Sequence, residues 1–339
     1  MILKKLLQRY CLTSSLLLVL LCIASTASAA TFNLPKDGDD IVGKLLTIQI
    51  KKGESWDSLG KKYDLSWYEL IEANQDLDPN KVLEHQKVLI PAQHILPRYR
   101  HGIVINMSEL RLYYFTKDGK QVKTFPVTLG RRKWRTPIGK TYIVKKQANP
   151  DWHVPKTIRD YAKNERKLEL PNVIKAGDPK NPLGRFAIYL GKKGYVIHGT
   201  NQPWTIGHFI SSGCIRMRDG DIDEVFKLAE RGVPVHIVNN PVKAGWLDGK
   251  LYLKAQLPLI LNEVVSDDNH DSGDRAVKLA TKDRPVTLYS RQVKAVTVQR
   301  KGIPKLVGVA KLDAPADTVV KDKADKMTKN QVCKLNKKA

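Results

Sequence analysis

Val196-Ile197-His198-Gly199-Thr200, followed by Ser211-Ser212-Gly213-Cys214-Ile215-Arg216-Met217, is the stretch on which the reading of this chain turns. It sets a thiol sixteen positions after an imidazole. Cysteine attacks carbonyls as the thiolate, and with a reference pKa of about 8.5 only a few per cent of a free thiol is ionised at neutral pH. A histidine within reach can take that proton, so Cys214 is a candidate nucleophile and His198 its candidate base. Phe186 to Leu190 and Tyr195 to Ile197 read as two short strands around Gly191-Lys192-Lys193-Gly194, which sets His198 at a strand end. After the cysteine, Ile222, Val225, Phe226 and Ala229 recur at helical spacing. Asp221 and Glu224 fit a capping box, and Gly232 with Pro234 closes the helix. Cys214 is therefore expected on the turn entering a helix, where the positive dipole end favours a thiolate.

On residue type alone, a lone cysteine reads equally as a small buried hydrophobe and a lone histidine as a satisfied polar residue. A zinc site from His198, His208 and Cys214 has no Cys-x-x-Cys or His-x-x-x-His pattern behind it, so no metal is expected. The wider pattern is more specific. His-Gly-Thr, about fifteen residues, then Ser-x-Gly-Cys-Ile-Arg-Met resembles the signature of the L,D-transpeptidases, cysteine enzymes with a YkuD-type catalytic domain that work on peptidoglycan. Thr136-Pro137-Ile138-Gly139, Asn149-Pro150-Asp151-Trp152, Asn181-Pro182-Leu183-Gly184 and Lys243-Ala244-Gly245-Trp246 extend the likeness over roughly residues 100 to 260. Ser212 departs from it, since many members carry a second histidine there.

The resemblance implies a β-rich, mixed-sheet catalytic domain over residues 100–240, with a C-terminal extension over 241–262. It implies that Cys214 forms a thioester with a tetrapeptide stem while His198 acts as base, then acid, as D-alanine leaves. An amine then takes the acyl group, from another stem (a 3→3 crosslink) or from a lipoprotein lysine. Gly213 and Cys214 supply candidate oxyanion N–H groups, Ser211 and Gly199 supporting contacts, and Arg216 and Thr200 candidate contacts to substrate. No cofactor is required, and acylation by carbapenems is implied. Water in place of the amine would make an L,D-carboxypeptidase or endopeptidase, and a dead catalytic domain would leave a wall-binding scaffold.

Towards the N-terminus, Leu46 to Ile50 alternates as a strand, and Trp56, Leu59 and Tyr63 share one helical face. Ser66 with Glu69 starts a second helix that ends at Asn74, and Val88-Leu89-Ile90 closes the unit before Pro91. This βααβ order over residues 45–92 resembles a LysM domain, which implies binding to peptidoglycan glycan. Glu84-His85 stands where Pro-Gly is common, and Trp56 and Tyr63 read as core rather than sugar platforms. The whole chain is thus expected to be mainly β with some α.

Lys4, Lys5 and Arg9 precede an uncharged run that ends in Ala27-Ser28-Ala29, so residues 1–29 read as a secretory signal peptide; uncleaved, it would be the only membrane attachment. Its removal takes away Cys11 and Cys22 and leaves Cys214 as a free thiol beside Cys333. The 339-residue chain carries a formal net charge of +24, which favours polyanions; for an exported chain these are wall and membrane surfaces, not nucleic acid. Between the domains, 93–100 reads as a connector, while 147–184 reads as a long loop forming a flap on the substrate side. Beyond residue 262 the signal fades into a polar linker at 266–275, strand-like alternation over 286–312 and a lysine-rich tail.

Overall fold

The computed structural model describes residues 30–257, 260–262, 264–265 and 271–311; the signal segment, Cys333 and the lysine-rich tail lie outside them. In the N-terminal unit, Leu46–Gln49 pairs antiparallel with Lys87–Ile90 around helices α1 (Trp56–Lys62) and α2 (Trp67–Ala73). Leu59, Leu70, Val88 and Ile90 are sealed from solvent, and Trp56 joins them with its indole N–H donating to the Asp78 carbonyl at 3.0 Å. Trp56 is thus core, as its spacing predicts. The Ser66–Glu69 capping box forms in both directions, at 2.9 and 3.1 Å. Asn74 ends α2 and also clips it to the last strand, its amide bonding the carbonyls of Leu70 and Leu89 while its oxygen accepts the Leu89 N–H. His85 holds φ +65°, the left-handed turn that glycine enters more easily.

The largest sheet among the described residues has nine strands. From edge to edge they are Ala30–Asn33, Gln121–Pro126, Arg111–Phe115, Gly102–Asn106, Pro234–Val238, Gly139–Ala148, Phe186–Leu190, Val196–His198 and Ile215–Arg216. Most neighbours are antiparallel, but Gly102–Asn106 runs parallel to Pro234–Val238 and Val196–His198 parallel to Ile215–Arg216. Alternating residues such as Ile103, Ile105, Leu112, Ile188, Ile197 and Ile215 form one core, closed by Ile222, Val225 and Ala229. At the rim, the 147–184 stretch is not featureless, since it carries helix α3 (Lys156–Arg166). Its apolar face is short, Ile158 and Tyr161 half-buried and Ala162 buried, too brief a stripe to stand out among its charged residues. Helix α4 (Asp219–Leu228) begins three residues before the expected start, its N-cap at Arg218 rather than Asp221. Arg218 is its N-cap without a side-chain bond, because Asp221 is turned inward and buried.

The C-terminal segments differ more from expectation. Val242–Leu247 and Lys250–Ala255, expected to extend the catalytic domain, pair with each other, Lys250–Ala255 pairs in turn with Lys305–Ala310, and Val286–Leu288 completes a separate four-stranded sheet. Helix α5 (Ser272–Ala280) starts inside the expected linker, and α6 (Ser290–Gln299) occupies the middle of the expected alternation. Their buried faces are short, essentially Ala276 and Val277 from one and Val293 and Val296 from the other, against Trp246, Leu251, Leu253 and Val307. Such small stripes gain stability only once packed together.

The LysM-like unit is wedged between these sheets. Arg111, wholly buried, makes two 2.8 Å bonds to the Glu69 carboxylate and a third to the Asp64 carbonyl. Trp67 stacks on His208 at 5.4 Å, and Arg218 pairs with Asp64 at 3.4 Å. On the opposite flank, Leu257 N–H donates to Glu72 and Lys301 pairs with Asp76. The expected connector takes part as well, with Gln93–Ile95 pairing Ile41–Gly43. Among the described residues, no helix is long and apolar enough to cross a membrane.

Candidate active site

The parallel pairing of Val196–His198 with Ile215–Arg216 builds the site. Its register sets His198 opposite Arg216 and Ile197 opposite Ile215. Side chains alternate between faces, so Ile197 and Ile215 enter the core while His198, Cys214 and Arg216 share the other face. Cys214 therefore stands ahead of a strand and not at the helix entry, which begins only after Arg218.

His198 is 3 % exposed, and its Nδ1 lies 2.7 Å from the Gly199 carbonyl. That contact places a hydrogen on Nδ1 and leaves Nε2 as the basic nitrogen. Burial, reinforced by the Arg216 charge, holds the imidazole down at about 3 against the pull of the Gly199 and Pro182 carbonyls. At neutral pH it is an uncharged base. Cys214 is a free, half-buried thiol. Burial pushes it above its usual range, opposed by a backbone hydrogen bond from Val196 and by Arg216. The thiolate-stabilising environment expected from a helix dipole is therefore absent, because the intervening strand moves the sulfur away from the helix end. The sulfur contacts the Gly194 carbonyl at 3.8 Å and makes no hydrogen bond to His198. Resting catalytic pairs are often long in this way and tighten with substrate.

The loop before the nucleophile is fixed on both sides. Ser211 Oγ donates to the Cys214 carbonyl at 2.6 Å and accepts the Gly213 N–H at 3.1 Å. Gly213, expected as an oxyanion donor, thus has its N–H engaged by Ser211. The Cys214 N–H finds no backbone acceptor among the described residues. Gly213 holds φ +106°, and a Cβ there would come within 3.1 Å of the Tyr195 ring. Thr136, fully enclosed, donates to the Gly213 carbonyl at 2.9 Å and accepts the Gly130 N–H at 3.0 Å.

Arg216 is half-buried, and no carboxylate among the described residues pairs with it. Its nearest polar partner is Gln202 Oε1 at 3.5 Å, and its Nε is buried without a partner. Thr200, expected at the substrate, is instead enclosed, its hydroxyl accepting the Gln202 N–H at 3.0 Å. His208 stacks on Trp67 of the LysM-like unit, and Ser212 is exposed.

Two contributors went unassigned in sequence although their motifs are quotable. Thr136 positions the nucleophile loop. Pro182 backs the imidazole, held by Asn181, whose amide bonds the Pro150 and Lys175 carbonyls and whose oxygen accepts the Leu183 N–H. A polar side chain beside a proline or glycine, within a motif that lacks periodicity, was the available signal. Gly184, at φ +65°, lets this wall approach: a Cβ there would lie 2.9 Å from the Thr200 nitrogen.

Comparison with known proteins agrees with this layout. The family model of the L,D-transpeptidase catalytic domain (YkuD) matches residues 100–237, and that of the LysM domain matches residues 48–91. The chain is 37 % identical over 249 residues to the Probable L,D-transpeptidase ErfK/SrfK of Escherichia coli (strain K12), covering 72 % of this chain and 79 % of that one. It is 38 % identical over 245 residues to the Probable L,D-transpeptidase YbiS of the same organism, covering 70 % and 79 %. A solved catalytic domain of the E. faecium L,D-transpeptidase aligns at a TM-score of 0.31 and 21 % identity over 42 % of this chain and 99 % of that one, a likeness too slight to carry an argument. Identity of this extent over more than two thirds of both chains, with a catalytic-domain match that includes His198 and Cys214, makes this protein a member of the L,D-transpeptidase family with an N-terminal LysM domain.

Proposed function

We propose that the protein is an exported acyltransferase of peptidoglycan in which Cys214 is the nucleophile and His198 the general base. Nε2 of His198 takes the thiol proton as sulfur attacks the carbonyl between the third residue of a tetrapeptide stem and its terminal D-alanine. The tetrahedral adduct collapses, the C–N bond breaks, and the D-alanine amine leaves with the proton from the imidazolium. A thioester remains on Cys214. An acceptor amine attacks it, loses its proton to His198, and expels the sulfur, which is reprotonated. A second stem as acceptor gives a 3→3 crosslink; a lipoprotein lysine gives covalent attachment. The Cys214 N–H is the oxyanion donor left open by Ser211, an interaction worth roughly 3 kcal/mol per donor in other enzymes. The LysM domain holds the glycan, and residues 1–29 direct export to the periplasm and wall.

The observation that carries this reading is Arg216, a half-buried guanidinium without a carboxylate, on the same sheet face as the thiol and the neutral imidazole. Such a cation is suited to a stem carboxylate. Incubation with a tetrapeptide stem or a carbapenem should add the acyl mass to Cys214, and Cys214→Ala should abolish both the adduct and D-alanine release. Undiminished D-alanine release by that variant would refute the assignment.

A further inference from the structure

We propose that the cleft beside the nucleophile loop, lined by Arg131, Arg132, Lys133 and Tyr161, seats a free carboxylate of the donor stem and selects acidic stems over amidated ones. This rests on the reading of the site as a stem-peptide acyltransferase. The cleft is open, with a volume of about 550 Å3. Its floor is Tyr161 of α3, set edge-on against Trp134 with ring centroids 4.9 Å apart. Arg131 lies 4.6 Å from the Trp134 ring and 4.8 Å from the Tyr161 ring, and Arg166 and Lys133 approach Tyr161 at 5.6 and 6.0 Å. Three cations thus converge on one aromatic ring. No carboxylate among the described residues pairs with Arg131, Lys133 or Arg166, although nearby lysines do have partners, as in Lys156–Asp160 and Lys175–Asp151. Cations crowded without counterions raise each other's energy, and a bound anion relieves it. The rings hold the guanidinium groups in place, so little ordering remains when the anion arrives.

Position identifies which anion. Arg131 N–H donates to the Ser211 carbonyl at 3.0 Å, and a Cβ on Gly130 would lie 2.8 Å from the Gly213 Cα. The cationic loop therefore adjoins the loop that carries the nucleophile. An extended peptide advances about 3.3 Å per residue, so a stem joined through its acyl carbon to Cys214 passes this cleft within a few residues. Arg216, on the strand beside His198 and bridged through its backbone to Thr128, is a separate cation and is left to a different carboxylate.

The test separates binding from chemistry. Titration calorimetry of Cys214→Ala with two tetrapeptide stems, one with free side carboxylates and one amidated, should show the acidic stem bound about tenfold tighter. Lys133 is exposed, so Lys133→Glu in the same background should remove that preference without disturbing the fold. Equal affinities, or a preference that Lys133→Glu leaves intact, would overturn the proposal. In the otherwise wild-type enzyme, Lys133→Glu should slow single-turnover D-alanine release from the acidic stem. A loss confined to transfer onto the amine would place the carboxylate on the acceptor and overturn the donor assignment. Failure of the catalytic reading shows separately, as absent D-alanine release with the binding preference still present.

Discussion

Two of the regions in which this molecule encloses cations treat them oppositely. At the seam between the LysM and catalytic domains, Arg111 is matched atom for atom by Glu69, Asp64 and Thr124, and Arg218 leans on Asp64. At the nucleophile, Arg216 has only a 3.5 Å contact to an amide, and His198 is buried uncharged beside it. Desolvating a charge without a partner is costly, so such a group persists where a ligand is its partner. The seam is satisfied and holds two domains in one orientation. The face that carries His198, Cys214 and Arg216 leaves its guanidinium without a carboxylate among the described residues, as the proposed binding of a stem carboxylate requires.

Three single substitutions and one double replacement put this contrast at risk, taken from the largest effect to the smallest. His198→Ala should slow acylation of Cys214 near neutral pH by roughly 10²–10⁴-fold, measured by stopped-flow with a carbapenem. Since burial raises the thiol, recovery should begin only on the alkaline side of the ordinary cysteine range. In the wild type, His198 held at about 3 stays a neutral base throughout mildly acid solution, so kcat/KM should show no loss centred near pH 6.5. A loss there would mean that the imidazole is far less buried in solution.

Glu69→Ala should lower stability by about 3–5 kcal/mol, because it strands a fully buried guanidinium, and thermal unfolding should register it as a drop of roughly 10 °C. Replacing the pair as Arg111→Met with Glu69→Leu should recover much of that loss, as apolar groups of similar volume often can. Arg216→Ala should do the reverse. Its kcat/KM for D-alanine release should fall roughly 10- to 100-fold, while its melting temperature stays within about 3 °C of wild type. A large loss of stability in Arg216→Ala would erase the distinction between the two regions.

Legibility in sequence followed the range of the interactions involved. The Ser66–Glu69 capping box was readable because it spans three residues, and it forms. That the same Glu69 also neutralises Arg111, 42 residues away, was not readable. The strands carrying His198 and the core residues of α4 followed from periodicity. The start of α4 did not, since Asp221 fits a cap locally but is drawn inward towards Arg218. Helix α3 was missed because its apolar stripe is only Ile158, Tyr161 and Ala162, and the C-terminal sheet because its pairing of Lys250–Ala255 with Lys305–Ala310 crosses about fifty residues of weak pattern.

The sequence by itself determined the LysM type of fold at the N-terminus and the family, and singled out Cys214 and His198 as the candidate nucleophile and base, because these reside in short spacings and local periodicity. Tertiary structure alone decided that Ser211 engages the Gly213 N–H, that the thiol stands before a strand, that Arg216 meets no carboxylate among the described residues, and that the LysM domain is clamped. Each of those depends on what a side chain meets after burial, and burial is a property of the assembled sheet.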